Sequence, residues 1–194
     1  MFLTPQQTNS KLIGLEHVYP TLKKEWDMHC HDIEWRDFTD YQQRTIAHSD
    51  QGHEIDGNSF ATAPLSTPQS KWSIAPLFHN NIPYTRNTNL LPKIRKTMLW
   101  LGQTQYVGMV KLAPDSGLGW HYDPDPNPFT QRIRCQLPFL TSISTLSVEN
   151  ENRPYAEGKL LIFMSSARHK VSNIGENDRI SLVFDIFRKG KGIL

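Results

Sequence analysis

Residues alternate between apolar and polar through much of the second half of the chain. In QRIRCQLPFLT, Ile133, Cys135, Leu137 and Phe139 fall on one side, and Arg132, Arg134 and Gln136 on the other. That is the period of a strand with two unlike faces. DRISLVFDIF repeats it, with Ile180, Leu182, Phe184 and Ile186 set against Arg179, Ser181, Val183 and Asp185. TQYVGMVKLAP, closed by Pro114, and KLLIFMSS, entered through Gly158, read as two more strands. The turn NIGEND before the last strand carries Gly175 and Asn177, which suit a hairpin. One helix is predicted ahead of the strands, in NTNLLPKIRKTMLWLG. Leu91, Ile94, Met98 and Leu101 recur at helical spacing. Thr88 or Asn89 is placed to cap it, Pro92 sits in its first turn and Gly102 can stop it.

The first 70 residues differ in texture. Short apolar pieces, such as Leu12, Ile13, Leu15 and Val18 ahead of Pro20, alternate with polar stretches, and Trp26 and Trp35 flank one of these. From Ala47 to Ser70 turn formers dominate, which predicts loop or short strand. Several short strands, no strand–helix–strand rhythm and one leading helix predict a mainly β fold of jelly-roll type with flanking helices. The expected organisation is one domain, in which residues 1–70 form a flank packed on a core spanning 71–194.

Composition narrows the function. The chain has 194 residues and a net charge of +2, too weak a balance to predict a nucleic-acid partner. Its basic tail, RKGKG at Arg188–Gly192, reads as a solvated terminus. The two cysteines, Cys30 and Cys135, stand far apart, so a disulfide framework is not expected and a reducing compartment is. MFLTPQQTNS has neither the basic nor the apolar region of a secretory leader, and no apolar run reaches the ~18 residues of a membrane span. The expectation is a cytoplasmic protein without a membrane partner.

Candidate chemistry begins at GWHYDPDPNPF. In extended backbone His121 and Asp123 point to the same side, and Pro124 holds Asp123 away from helical dihedrals. Asp125 also precedes a proline, but lies farther from His121 along an extended chain. His169 follows an apolar strand, and ten positions later come Arg179 and Ser181 on one face of the final strand. An arginine facing a barrel interior calls for an anionic partner, which a bidentate carboxylate supplies, with the serine hydroxyl adding a bond. The plainer reading puts Arg179 in solvent or against Asp185. Two histidines and a carboxylate on one face of a metal are the ligand set of non-heme Fe(II) oxygenases.

The pieces KWSIAPLF, PYTRNTNLL, KLAPDSGLGWHYD, RIRCQLPF, YAEGKLLIFMSSARHKVSN and DRISLVFDIF, in that order, resemble the aspartyl/asparaginyl β-hydroxylase family of 2-oxoglutarate-dependent Fe(II) oxygenases. The likeness runs from about Trp72 to Phe187. It implies a double-stranded β-helix and Fe(II) held by His121, Asp123 and His169. It implies that Arg179, with Ser181 beside it, binds the far carboxylate of 2-oxoglutarate, and that Arg134 assists the cosubstrate. It also implies O2-dependent hydroxylation of an amino acid, free or in a peptide, of aspartyl, asparaginyl or prolyl type, with release of succinate and CO2. The chain departs from the family in three places. Asp123 stands where the animal enzymes have glycine, as in the family's bacterial proline hydroxylases. Gln136 replaces the histidine of the family's RxH, and FMSS at Phe163–Ser166 replaces FDDS.

Other readings stay open on the sequence. One is a non-catalytic jelly-roll module that binds a metal or a small acid. Another is a zinc hydrolase with Glu157 as base. In MHCHD, His29 and His31 suggest a second metal, but Cys30 would face away from both in a strand. Trp120 and Tyr122 either wall the site or pack the core. His48, His53 and His79 fall in loop-like sequence.

Overall fold

The computed structural model describes residues 1–37, 72–79, 81–102, 106–121, 123 and 130–189. In chain order its elements are α1 (Pro5–Thr8), a 3-10 turn (Ser10–Leu12), α2 (Ile13–His29), β1 (Arg36–Asp37), β2 (Trp72–His79), β3 (Ile82–Pro83), α3 (Thr85–Leu90), α4 (Pro92–Leu101), β4 (Tyr106–Leu112), β5 (Ser116–His121), β6 (Thr130–Leu140), β7 (Ser144–Val148), β8 (Glu151–Pro154), β9 (Leu161–Met164), β10 (His169–Asn173) and β11 (Arg179–Lys189).

The strands form two antiparallel sheets. The major sheet runs β1-β2-β4-β11-β6-β9, with β3 on β2, and the minor sheet runs β5-β10-β7-β8. From β4 to β11 the chain passes back and forth between the sheets, so most neighbours in space are distant in sequence. This is a double-stranded β-helix, the jelly roll expected from the strand pattern. The NIGEND segment carries the chain from β10 in one sheet to β11 in the other, and so does not close the expected hairpin. Asn173 anchors this crossing: its side-chain amide donates to the carbonyls of Leu112 and Asn177, and its oxygen accepts from the Ser144 hydroxyl.

The alternation of β6 and β11 sorts the two faces of the major sheet. Ile133, Cys135, Leu137, Phe139, Leu182, Phe184 and Ile186 lie on the outer face, in one core with Leu12, Leu15, Leu22 and Trp26 of the N-terminal helical segment and Ile94, Met98 and Leu101 of α4. Their partners in alternation face the other sheet. There a second apolar cluster forms from Phe2, Leu112, Leu146, Val148, Tyr155, Leu161, Phe163 and Val171. Phe2 bridges to Phe163, and Leu3 N–H donates to the Ile162 carbonyl at 2.8 Å, which covers part of the edge strand β9.

Two helical features depart from the sequence expectation. Helix α2 lies in a region read as broken apolar pieces. Leu12, Leu15, Leu22 and Trp26 are buried at spacings that keep one side of the helix on the sheet, while Pro20 sits on the exposed side. The helix before β4 is divided at Leu91, whose φ of −121° and ψ of 57° are not helical. Pro92 accounts for the break, because its ring disfavours helical dihedrals at the preceding residue. Neither Thr88 nor Asn89 caps α4. Glu25, buried on α2, reaches across instead, and its carboxylate accepts from Lys93 N–H at 2.7 Å and Ile94 N–H at 2.9 Å. Gly102, with φ 75°, ends the helix in the left-handed region as expected.

Glu16, on the same helix α2, accepts from Leu160 N–H at 3.0 Å and from Lys159 at 3.1 Å, so two glutamates tie the helix to the rest of the fold. Removing the Glu25 carboxylate leaves two donors at a helix N-terminus without partners. Glu25→Ala is expected to lower the unfolding free energy by about 1–3 kcal/mol, read from urea denaturation, and Glu25→Gln by less. An unchanged midpoint in both variants would show that water takes over the carboxylate's role.

Candidate active site

The antiparallel register of the minor sheet puts His121, the last residue of β5, directly opposite His169, the first of β10. Their ring centroids are 4.1 Å apart. Asp123 lies just beyond β5, and its N–H donates to the Ser165 carbonyl at 2.9 Å. That bond fixes the end of one sheet to the segment after β9 of the other. One possible ligand atom from each of His121, Asp123 and His169 lies within 4.8 Å of the others. Among the described residues no other group of three histidines, cysteines or acids gathers in this way.

Both imidazoles are oriented alike. Nδ1 of His121 is 2.7 Å from the Gly119 carbonyl, and Nδ1 of His169 is 2.8 Å from the Ala167 carbonyl. A carbonyl oxygen only accepts, so Nδ1 carries a proton in each ring, which makes Nε2 the nitrogen available to a metal. Such a bond also fixes the plane of a metal-binding imidazole. His169 is buried and packs edge-on against Phe163 at 4.9 Å. Burial lowers its pKa to about 4, outweighing the nearby Asp123 carboxylate, so it is neutral at pH 7.

The Asp123 carboxyl is buried. Burial alone would raise its pKa, but Arg134, His169, Arg132 and His121 together hold it below the ordinary value. Arg134 is the principal partner. Its Nη1 donates to Asp123 Oδ2 at 2.5 Å, while Nε and Nη2 donate to Asp185 Oδ1 and Oδ2 at 2.9 and 3.1 Å. Arg132 is looser, at 3.9 Å from each aspartate, with Nε donating to the Ser165 hydroxyl at 3.1 Å.

Arg179 presents a different picture. It is 3% exposed, stacks on the Tyr155 ring at 4.4 Å and donates from Nη1 to Gln136 Oε1 at 3.3 Å. The same oxygen accepts from the Tyr155 hydroxyl at 2.6 Å. Among the described residues no carboxylate lies within ion-pair distance of Arg179, and both its Nε and the hydroxyl of the buried Ser181 lack a hydrogen-bond partner. A buried guanidinium edge and a buried hydroxyl, side by side and unsatisfied, are the donors a ligand carboxylate would fill.

His121, Asp123 and His169 thus come together, and Arg179 turns inward with Ser181. Arg134 faces the Asp123 carboxylate, and the residue of β6 that reaches Arg179 is Gln136. Alternation along β6 and β11 had put Gln136 and Asp185 on the inward faces; the plainer reading that set Asp185 against Arg179 does not hold, because Asp185 pairs with Arg134. Tyr155 follows β8 outside any alternating run, and although it opens one of the segments that resemble the family, the sequence assigns it no role. Asp125 and Tyr122 lie outside the described residues, as do His48 and His53. His79 ends β2 and meets Tyr106 at 5.4 Å instead of lying in a loop. In MHCHD, His29 is the last residue of α2 and Cys30 its C-cap, so the segment is the end of a helix and not a strand. Trp120 is half-buried, with Arg168 and Lys170 each 5.1 Å from its ring. Glu157 is exposed.

Fold and site together define a double-stranded β-helix with a cluster of two histidines and one carboxylate held between its sheets. The profile described as Aspartyl/Asparaginyl beta-hydroxylase matches residues 16–189, and the chain belongs to that family. Three solved structures are similar in fold. An oxidoreductase of the 2OG-Fe(II) oxygenase family from Burkholderia pseudomallei is 15% identical, with a TM-score of 0.42 over 61% of this chain and 68% of that one. A predicted oxalate decarboxylase from Thermotoga maritima is 17% identical, with a TM-score of 0.39 over 60% and 81%. The cupin domain of an XRE family transcriptional regulator from Enterobacter cloacae is 11% identical, with a TM-score of 0.37 over 43% and 82%. No curated protein matches the sequence. Among the described residues no helix is long and apolar enough to cross a membrane.

The depressed His169 pKa makes a prediction for the metal-free protein. Between about 6.5 and about 4 the unfolded chain binds a proton here that the folded chain does not, so stability falls as pH drops through this window. Complete protonation corresponds to a loss on the order of 3 kcal/mol. Denaturant midpoints measured across this range should decline, and His169→Asn should flatten the decline. An equally steep fall in the variant would assign it to other groups.

Proposed function

We propose that the protein is an Fe(II)- and 2-oxoglutarate-dependent dioxygenase that hydroxylates an amino acid, free or within a peptide. His121, Asp123 and His169 would hold the iron, and Arg179 with Ser181 would hold the far carboxylate of 2-oxoglutarate. When bound, iron and 2-oxoglutarate supply O2-driven hydroxylation of an unactivated C–H bond, with succinate and CO2 as coproducts.

The chain's own residues prepare the site. The carbonyls of Gly119 and Ala167 fix both histidine tautomers. Arg134 keeps Asp123 ionised and aimed. Gln136 and Tyr155 hold the Arg179 guanidinium in place; burial raises the Tyr155 pKa, so the phenol keeps its proton and donates. Gln136 and Arg134 share the inward face of β6 two residues apart, about 7 Å along the strand, which links the carboxylate clamp to the cluster.

The observation that carries this reading is the buried Arg179, which meets no carboxylate among the described residues, with its unsatisfied Nε and the unsatisfied Ser181 hydroxyl beside it. A metal-binding module without cosubstrate has no use for them, and a zinc hydrolase needs a general base that the exposed Glu157 does not provide. Adding Fe(II) and 2-oxoglutarate anaerobically should produce the weak visible charge-transfer band of the chelate. Admitting O2 should release succinate, at a higher rate when the correct amino acid or peptide is present. Folded protein that gives neither signal would leave the binding module as the better reading.

Arg179→Met separates ligand binding from folding. Loss of charge-assisted bonds to a carboxylate is expected to raise the 2-oxoglutarate requirement by about two orders of magnitude, with metal binding retained. Because Arg179 has no anionic partner among the described residues, the unfolding midpoint of the metal-free variant should hold or rise. A cosubstrate titration that matches the parent would remove Arg179 from the clamp.

A further inference from the structure

Asp185 is buried at 3% exposure near the end of β11 and plays no part in the chemistry above. Register puts it opposite Arg134 on β6. It receives the two-pronged edge of that arginine through Nε and Nη2, at 2.9 and 3.1 Å, while Asp123 receives Nη1 alone. The division follows from the shape of guanidinium. The edge formed by Nε and Nη2 matches one carboxylate bidentately; Asp185 has taken that edge, and of the donors left only Nη1 reaches Asp123. A carboxylate offers about four lone-pair sites, so Asp123 held at one of them keeps others for a cation. Arg132, 3.9 Å from both aspartates, completes a group of two positive and two negative side chains.

The geometry points to Asp185 as a positioning residue for the metal carboxylate, acting through Arg134: it holds the arginine as a one-point tether on Asp123 and prevents it from competing with the metal. This rests on the metal reading of His121, Asp123 and His169. Without the Asp185 charge, Arg134 would be free to turn its fork onto Asp123 and occupy the oxygens a cation needs. The cluster would also carry one more uncompensated positive charge against an incoming dication. Both effects act in the same direction, toward weaker metal binding.

The test is Mn(II) titration of the full chain without cosubstrate, following free Mn(II) by electron paramagnetic resonance, with unfolding midpoints measured alongside. The parent should bind one Mn(II), and His169→Ala should abolish it. Asp185→Asn, which preserves shape, should weaken binding about ten- to hundredfold. Because Asp185 acts through Arg134, Asp185→Asn placed in an Arg134→Gln background should change affinity by less than about twofold, as expected of strongly coupled sites. That doubly neutral pair leaves no half-paired buried charge, so it decides the question even where Asp185→Asn alone folds poorly. Unchanged affinity in folded Asp185→Asn, or a further tenfold loss on adding it to Arg134→Gln, would overturn the assignment. A parent that binds no Mn(II) would overturn the metal reading itself along with this one.

Discussion

Charge held between two sheets is the constraint around which this molecule is arranged. Asp123 and Asp185 are buried, and Arg132 and Arg134 are largely covered beside them. An ionised group taken out of water without a partner is strongly destabilising, so strand register here has little freedom. Arg134 must lie opposite Asp185 for the fork to close, and Asp123 must be drawn in from the end of β5 to accept from Nη1. The bond from Asp123 N–H to Ser165 and those linking Ser165 to Arg132 tie the end of the minor sheet to the major one. Slipping β6 by one residue would put Arg132 and Arg134 among the helices and Ile133 between the sheets.

The apolar face of the same strands supports this arrangement from behind. Helices α2 and α4 cover the outer side of the major sheet with Trp26, Leu22, Ile94 and Met98, and α2 is held by Glu16 and Glu25 bonded to backbone N–H groups elsewhere in the chain. A rigid, dry outer layer lets the inner layer be polar. Ordered backbone carbonyls then set the histidine tautomers, so the donor set is formed before any cation arrives. This preorganisation turns a cluster of side chains into a candidate site.

How much could be read in the sequence follows from the range of each signal. Alternation along Arg132–Phe139 and Arg179–Ile186 is local, and it gave the inward and outward faces correctly. The His121–Asp123 spacing is local too, and the prolines after it held the reading to extended backbone. Helix α2 was obscured because Pro20 interrupts a stripe that only becomes continuous when Leu12, Leu15, Leu22 and Trp26 are counted together. The capping of α4 by Glu25 and the pairing of Arg134 with Asp185 join residues far apart in the chain. No periodicity reports such contacts, because they exist only once the sheets have closed. NIGEND shows the same limit: its residues suit a tight turn, but whether the turn joins neighbours in one sheet or crosses to the other is decided by topology.

Arg134 and Arg179 show two different ways of burying a positive charge. Both lie on inward faces of adjacent strands in the major sheet. Arg134 has two carboxylates and three good bonds. Arg179, more deeply buried, has an aromatic face and a single long bond to an amide oxygen, and its Nε is left without an acceptor. A fold selected for stability alone would replace such an arginine with an apolar residue of similar size, since removing an unpaired buried charge relieves desolvation without losing an ion pair. Among the described residues no carboxylate offsets that cost, and this is why Arg179 stands as the carboxylate-binding group of the proposed function. The neighbouring Ser181 hydroxyl, also unsatisfied, and the preoriented imidazoles of the opposite sheet are the other groups on which the proposed function rests.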